Sequence, residues 1–93
     1  MSDNFSKTIE IVNKRGLHAR ASSKFAVLAG EFKNTEIIVS KDDEEVDGHS
    51  IMDLMMLAAG IGSNITITTS GEQAQEALLA LSNLVENKFG EEE

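Results

Sequence analysis

The spacing of apolar residues in this chain switches repeatedly between every second residue and every third or fourth, which restricts it to folds mixing strands with helices. Residues 7–12 alternate, with Ile9 and Ile11 on one face, as a half-buried strand does. A polar turn, Asn13-Lys14-Arg15-Gly16, stops that strand. From Ala19 the period is helical: Ala21, Phe25, Leu28 and Ala29 share one side, Gly30 ends the helix, and Phe32 folds back over the end. Residues 35–40 are β-rich, with Ile37 and Val39 facing one way and Ile38 the other. A charged turn at 41–45 leads to a short returning strand marked by Val46.

Ser50 then opens a brief second helix carrying Ile51, Met52, Leu54, Met55, Met56 and Leu57, with Gly60 and Gly62 to close it. Residues 64–70 read as a strand with Ile65 and Ile67 inward, and Ser70-Gly71-Glu72-Gln73 has the form of a capping box before a long final helix. The buried stripe of that helix is Ala74, Ala77, Leu78, Leu81, Leu84, Val85 and Lys88, and the glutamates at 91–93 form a frayed, solubilising tail. The order β-α-β-β-α-β-α, without repeats or linkers, predicts an α+β domain over residues 1–93, with helices packed on one face of a mainly antiparallel sheet.

Composition narrows the function. Ninety-three residues support one core and one site. The absence of cysteine excludes disulfides, thiolate chemistry and cysteine-bound metals, and two unclustered histidines give no basis for a zinc site. A net charge of −8 argues against nucleic acid, whose phosphates would be repelled. The longest apolar run, residues 54–61, is too short to insert across a bilayer, and the polar start Met1-Ser2-Asp3-Asn4 lacks the basic and apolar stretches of a signal peptide. The expectation is a cytoplasmic protein whose partners are proteins with basic or apolar surfaces.

His18 stands between the Gly16 turn and the first helix, where a side chain meets the free N–H groups of the first turn. Those donors and the positive helix end favour an anion by about 0.3–1 kcal/mol when exposed, and the same field disfavours an imidazolium. Arg20 adds a permanent cation whose planar donors match phosphate oxygens. Gly16 permits close approach, and the backbone of Gly16, Ala19 and Ala21 is the candidate cradle for a phosphate. Taken singly, a histidine before a helix is ordinarily a polar cap and Arg20 a solvated side chain.

The whole string Gly16-Leu17-His18-Ala19-Arg20-Ala21-Ser22 resembles the active-site signature of the histidine-containing phosphocarrier (HPr) family of the bacterial phosphotransferase system. A second block, Ser50-Ile51-Met52 through Leu57, follows at the expected separation, and the likeness runs from Thr8 to about Phe89. The resemblance implies an open-faced β-sandwich of four antiparallel strands covered on one face by three helices. It implies a phosphohistidine on Nδ1 of His18, phosphate stabilisation by Arg20, and regulatory phosphorylation at Ser50. Partners would be enzyme I as donor, enzyme IIA as acceptor and HPr kinase/phosphorylase at Ser50. The protein would act as a monomer and need no cofactor. The family's usual proline after the arginine is Ala21 here, which adds an N–H to the first turn at the expense of a less fixed backbone. With Val12-Asn13-Lys14, the run Met55-Met56-Leu57-Ala58 and the ending Phe89-Gly90-Glu91, the chain looks closest to the nitrogen-related or α-proteobacterial branch.

If Leu54 and Leu57 are the inward pair of the second helix, Ile51, Met52 and Met55 form an apolar docking patch, flexible enough to fit several partners. Met56 is divided between that patch and the core, and His49, in a turn after Gly48, is a solvated residue without a role. Two rivals to a phosphocarrier stand: a regulatory binding protein controlled by phosphorylation at His18 or Ser50, and a ligand-binding α/β module with no phosphochemistry.

Overall fold

The computed structural model describes residues 4–92; the polar start at 1–3 and the last glutamate of the tail lie outside the described residues. In order along the chain come β1 (Asn4–Glu10), α1 (Ala19–Ala29), β2 (Thr35–Lys41), β3 (Glu44–Asp47), α2 (Ile51–Met56), β4 (Asn64–Gly71) and α3 (Ala74–Glu86), with a 3-10 turn at Lys88–Gly90. The strands form one antiparallel sheet in the order β1-β4-β2-β3. The register sets Ile9 opposite Ile65 and Val39 opposite Ile67, so the inward residues of three strands coincide on one face. A slip of one residue would turn all of them to solvent.

Helices cover that face only. α3 packs on β1 and β4, and α1 packs against α2 and α3. Phe25, Leu54, Leu57, Leu81, Val85 and Phe89 fill the space between helices and sheet, each 2% exposed or less. Burying one such side chain contributes about 1.5–3 kcal/mol. The opposite face is polar apart from Ile38, and on it the Thr8 and Thr66 hydroxyls meet across the strands at 2.8 Å. No helix among the described residues is long and apolar enough to cross a membrane.

Several boundaries differ from those the periodicity predicts, and each difference has a local cause. β1 ends at Glu10 rather than at 12, because Ile11 turns its N–H to Ser63 O and its carbonyl to Gly62 N, both at 2.8 Å, and so bonds a loop rather than a strand. α2 ends at Met56, well before Gly60, because Leu57 takes the cap position and Ala58 enters the left-handed region at φ 53°. Ser70 caps nothing. It stays in β4, paired with Asn4 and Glu36, and α3 begins after Gln73 without a side-chain cap. The Gln73 N–H is satisfied instead by Thr35 Oγ1 at 3.0 Å. Lys88 lies beyond the end of α3, and Phe89 takes the core position at that end.

Candidate functional site

The segment leading into α1 is clamped before it reaches His18. Leu17 is buried; its N–H donates to Ala59 O at 2.9 Å and its carbonyl accepts from Ser22 Oγ at 3.1 Å. At Gly16 the backbone has φ +64°, and a Cβ there would sit 2.3 Å from Ala59 O, so only glycine lets the turn lie against that loop. His18 thus enters as the N-cap of α1, and its carbonyl receives the first helical bond from Ser22 N at 2.8 Å. Its side chain makes no capping bond. The N–H groups of Ala19, Arg20 and Ala21 precede that first bond and have no helical partner, and no acidic residue occupies the first turn. The positive end of the helix is therefore uncompensated from within α1. Of the three backbone positions expected to cradle an anion, Gly16 is already committed, since its N–H donates to Asn13 O at 3.2 Å.

The imidazole turns to a residue that no local pattern connects with it. His18 Nε2 lies 2.5 Å from Glu91 Oε2, and the two side chains are only 23% and 11% exposed. The other carboxylate oxygen, Oε1, accepts from Asn13 Nδ2 at 3.1 Å, and that amide also donates to Gly16 O at 2.9 Å. Burial works to raise the Glu91 carboxyl, but the hydrogen bonds from His18 and Asn13 and the charges of His18 and Arg20 outweigh it, holding the group below the ordinary glutamate range. Glu91 is thus an anchored part of the site and not a frayed residue. Phe89, buried two residues earlier, is an apolar signal that the chain packs beyond its last helix.

Arg20 is exposed and lines a cleft with Lys14, Arg15, Glu91 and Glu92. Among the described residues nothing takes a hydrogen bond or ion pair from its guanidinium. A second open cleft, about 250 Å³, runs from Arg15, Leu17 and His18 to Ala58, Ala59 and Gly60, so the loop after α2 borders the histidine.

Ser50 caps α2: its Oγ accepts from Asp53 N at 3.2 Å. Leu54 and Leu57 are the inward pair, leaving Ile51 and Met55 about 40% exposed and Met52 and Met56 about 70%. Met56, divided in the sequence between core and surface, is as open as Met52. Periodicity does not single out three other exposed apolar residues, Val27 on α1, Ile61 after Gly60 and Leu79 on α3. His49 is held by Asp47, whose Oδ1 accepts from the His49 backbone N–H at 2.9 Å and lies 3.0 Å from Nδ1.

Residues 5–87 match the family described as PTS HPr component phosphorylation site, PTS being the phosphotransferase system. The chain belongs to the HPr phosphocarrier family. It is 53% identical over 83 residues to phosphocarrier protein HPr of Cupriavidus necator, covering 89% of this chain and 92% of that one. It is 41% identical over 85 residues to phosphocarrier protein NPr of Shewanella violacea, covering 91% and 92%. The crystal structure of an HPr from Thermoanaerobacter tengcongensis superimposes with a TM-score of 0.90 at 42% identity, over 96% of this chain and 99% of that one. The HPr fold expected from the sequence, four antiparallel strands with three helices on one face, is the fold observed.

Proposed function

We propose that this HPr-family protein accepts a phosphoryl group from enzyme I, charged from phosphoenolpyruvate, on Nδ1 of His18 and passes it to enzyme IIA. The observation that carries the reading is the uncapped start of α1: free N–H groups, no acidic residue in the first turn, and a histidine held through Nε2 so that Nδ1 has no hydrogen-bond partner among the described residues. The N–H groups of Ala19 and Ala21 then serve the phosphoryl oxygens. Arg20, whose guanidinium has no hydrogen-bond or ion-pair partner among the described residues, supplies a planar fork that closes on them. An open cleft beside His18 suits a transfer between proteins.

Ile51, Met52 and Met55, with Met56, form the surface on which enzyme I and enzyme IIA dock in turn. Because both need the same face, carriage is sequential and the carrier works as a cytoplasmic monomer. Ser50, at the edge of that patch, is the residue that HPr kinase/phosphorylase would modify. A second reading, a regulator of the nitrogen-related branch, draws support from the likeness to NPr. The two separate by acceptor: phosphorylated protein is offered a sugar-branch and a nitrogen-branch enzyme IIA, and the faster single-turnover transfer names the branch.

The decisive experiment is incubation with enzyme I and phosphoenolpyruvate, followed by intact mass. One acid-labile, base-stable phosphoryl group is expected on the wild type and none on His18→Ala, whose fold should be unchanged. Label retained by the alanine variant, or no label on the wild type, overturns the reading.

A further inference from the structure

We infer that Asn13 and Glu91 are positioning residues for phosphoryl transfer: a buried amide holds a carboxylate, and that carboxylate holds the His18 ring with its proton on Nε2 and its lone pair on Nδ1. The inference rests on the phosphocarrier reading and adds to it residues at both ends of the chain.

The chemistry of the contacts sets the direction of each bond. An ionised carboxylate only accepts, so the nitrogen facing Glu91 Oε2 must donate. A neutral imidazole has one N–H; with it on Nε2, the lone pair is on Nδ1. Asn13 is also fixed in orientation. Both of its neighbours, Gly16 O and Glu91 Oε1, are acceptors, so Nδ2 faces them and Oδ1 is left buried without a partner. An aliphatic side chain of similar size would leave no such orphaned acceptor. Among the described residues the amide's one link beyond its own turn is Glu91, and through it the ring.

The tail that delivers Glu91 is built to hold its place. Phe89 is fully buried, and its carbonyl accepts from Lys24 Nζ at 2.7 Å. Lys88, Phe89 and Gly90 are all left-handed, at φ 59°, 55° and 77°. Two non-glycine residues in succession there are strained, and such strain persists where the surroundings impose it. The turn they make brings Glu91 back to Asn13 and His18.

In the transfer, the Nδ1 lone pair forms a bond to phosphorus while the bond from phosphorus to the donor's leaving group breaks, and the leaving group keeps that electron pair. Nε2 keeps its proton throughout, so the ring becomes positive as the phosphoryl group arrives. Glu91 faces that developing charge. On delivery the Nδ1–P bond breaks, its pair returns to Nδ1, and the ring is neutral again.

The test uses full-length wild type, Glu91→Ala, Glu91→Gln and Asn13→Leu. Ring ¹⁵N shifts at about pH 9, above the ordinary histidine range, report the tautomer, and single-turnover phosphorylation by enzyme I reports the rate. The wild type should show one tautomer, Nε2–H. Glu91→Ala should move the ring to the mixture of a solvated histidine and slow phosphorylation on the order of tenfold, the scale on which partners that orient a histidine act, with a melting temperature lowered only by the loss of its bonds to His18 and Asn13. Glutamine offers one acceptor for two donors and should fall between the two. Asn13→Leu should shift the tautomer in the same direction; if it fails to fold, the tail variants, which leave the hydrophobic core and Asn13 itself in place, carry the test. Wild-type tautomer in Glu91→Ala, or a slower rate without a tautomer change, overturns the assignment. A tautomer that responds to Glu91→Ala in a protein that takes no phosphate overturns the phosphocarrier reading alone.

Discussion

The two helices that border the site begin in opposite ways. α2 starts with a serine whose hydroxyl accepts from Asp53 N, and its first turn carries an acidic residue; by the rules of helix termini it is complete. α1 starts with a histidine that caps nothing, has no acidic residue in its first turn, and leaves its N–H groups open. A histidine–carboxylate pair lies beside each start, yet the pairs differ. His49 and Asp47 are two residues apart and exposed, whereas His18 and Glu91 are 73 apart and mostly buried. The contrast separates a helix end finished for stability from one left open, with its histidine oriented by a distant group.

Arg20→Lys attacks the open start most directly. The charge remains but the planar fork is lost, so at least one charge-assisted hydrogen bond to phosphate, about 1.5–3 kcal/mol, goes with it. Single-turnover phosphorylation should slow by roughly tenfold or more, while the melting temperature barely moves because Arg20 is exposed. Equal rates would show that charge alone matters there.

Ser50 tests the finished start. Ser50→Ala removes the acceptor of Asp53 N and should lower stability by about 1 kcal/mol, with phosphate acceptance nearly normal. Phosphorylation of Ser50 should do the reverse. A phosphate at a helix N-terminus is tolerated by the fold, but beside Ile51 and Met52 it must be desolvated when a partner docks, so acceptance from enzyme I should weaken several-fold. If phosphoserine protein accepts phosphate on His18 as fast as unmodified protein at all enzyme I concentrations, Ser50 is only a cap.

Acid separates the two carboxylates. Both are held below their ordinary values: Asp47 chiefly by the His49 backbone N–H, partly opposed by burial, and Glu91 by bonds from His18 and Asn13 that outweigh its burial. A carboxylate whose folded value is depressed contributes stability that is fully present above its unfolded value and is lost as pH falls through the folded one. Stability should therefore decline below about pH 4.5, near the ordinary carboxylate range. Measured by denaturant melts across that range, Glu91→Ala and Asp47→Asn should each flatten the decline. Added salt should shrink the Asp47 contribution more, since that pair is the more exposed. A decline identical in all three proteins would show that neither pair contributes.

Local pattern explains what was legible in the chain and what was not. Phe25, Ile37, Val39, Ile65, Leu81 and Val85 announce themselves by spacing, because burial of a helix stripe or a strand face repeats every three to four residues or every two. The Gly16–Ser22 string stands out because His18, Arg20 and the glycine turn lie close together in sequence. Glu91 carries no such signal: among three glutamates at the end of an acidic chain it reads as solvent-exposed charge, and only tertiary structure brings it to His18. Asn13 is hidden likewise, as one polar residue in a polar turn. Ser70 shows the converse error. Its capping pattern is genuine as a local preference, but pairing with Asn4 and Glu36 in the sheet overrides it.

The far ends of the same two helices reverse the usual residue choice. α1 ends on Gly30 at φ −66°, a conformation any residue adopts, and a Cβ there would meet nothing closer than 3.4 Å. α2 is followed by Ala58 at φ +53°, where glycine would be unstrained. Gly30→Ala should therefore stabilise by about 0.4–1 kcal/mol, by lowering the entropy of the unfolded chain. Ala58→Gly meets opposing effects: it relieves a left-handed penalty of about 1–2 kcal/mol and adds unfolded-chain entropy of about 0.4–1 kcal/mol. The strain is the larger over most of these ranges, so a net gain of up to about 1.6 kcal/mol is expected. Opposite substitutions at the two ends should thus both raise the melting temperature. A lower one for Ala58→Gly would mean that the alanine methyl makes contacts worth more than its strain. Ala58 also lines the cleft beside His18, so the same variant reads function: slower phosphate acceptance despite higher stability would place that methyl at the docking face and make the strained alanine part of the carrier's working surface.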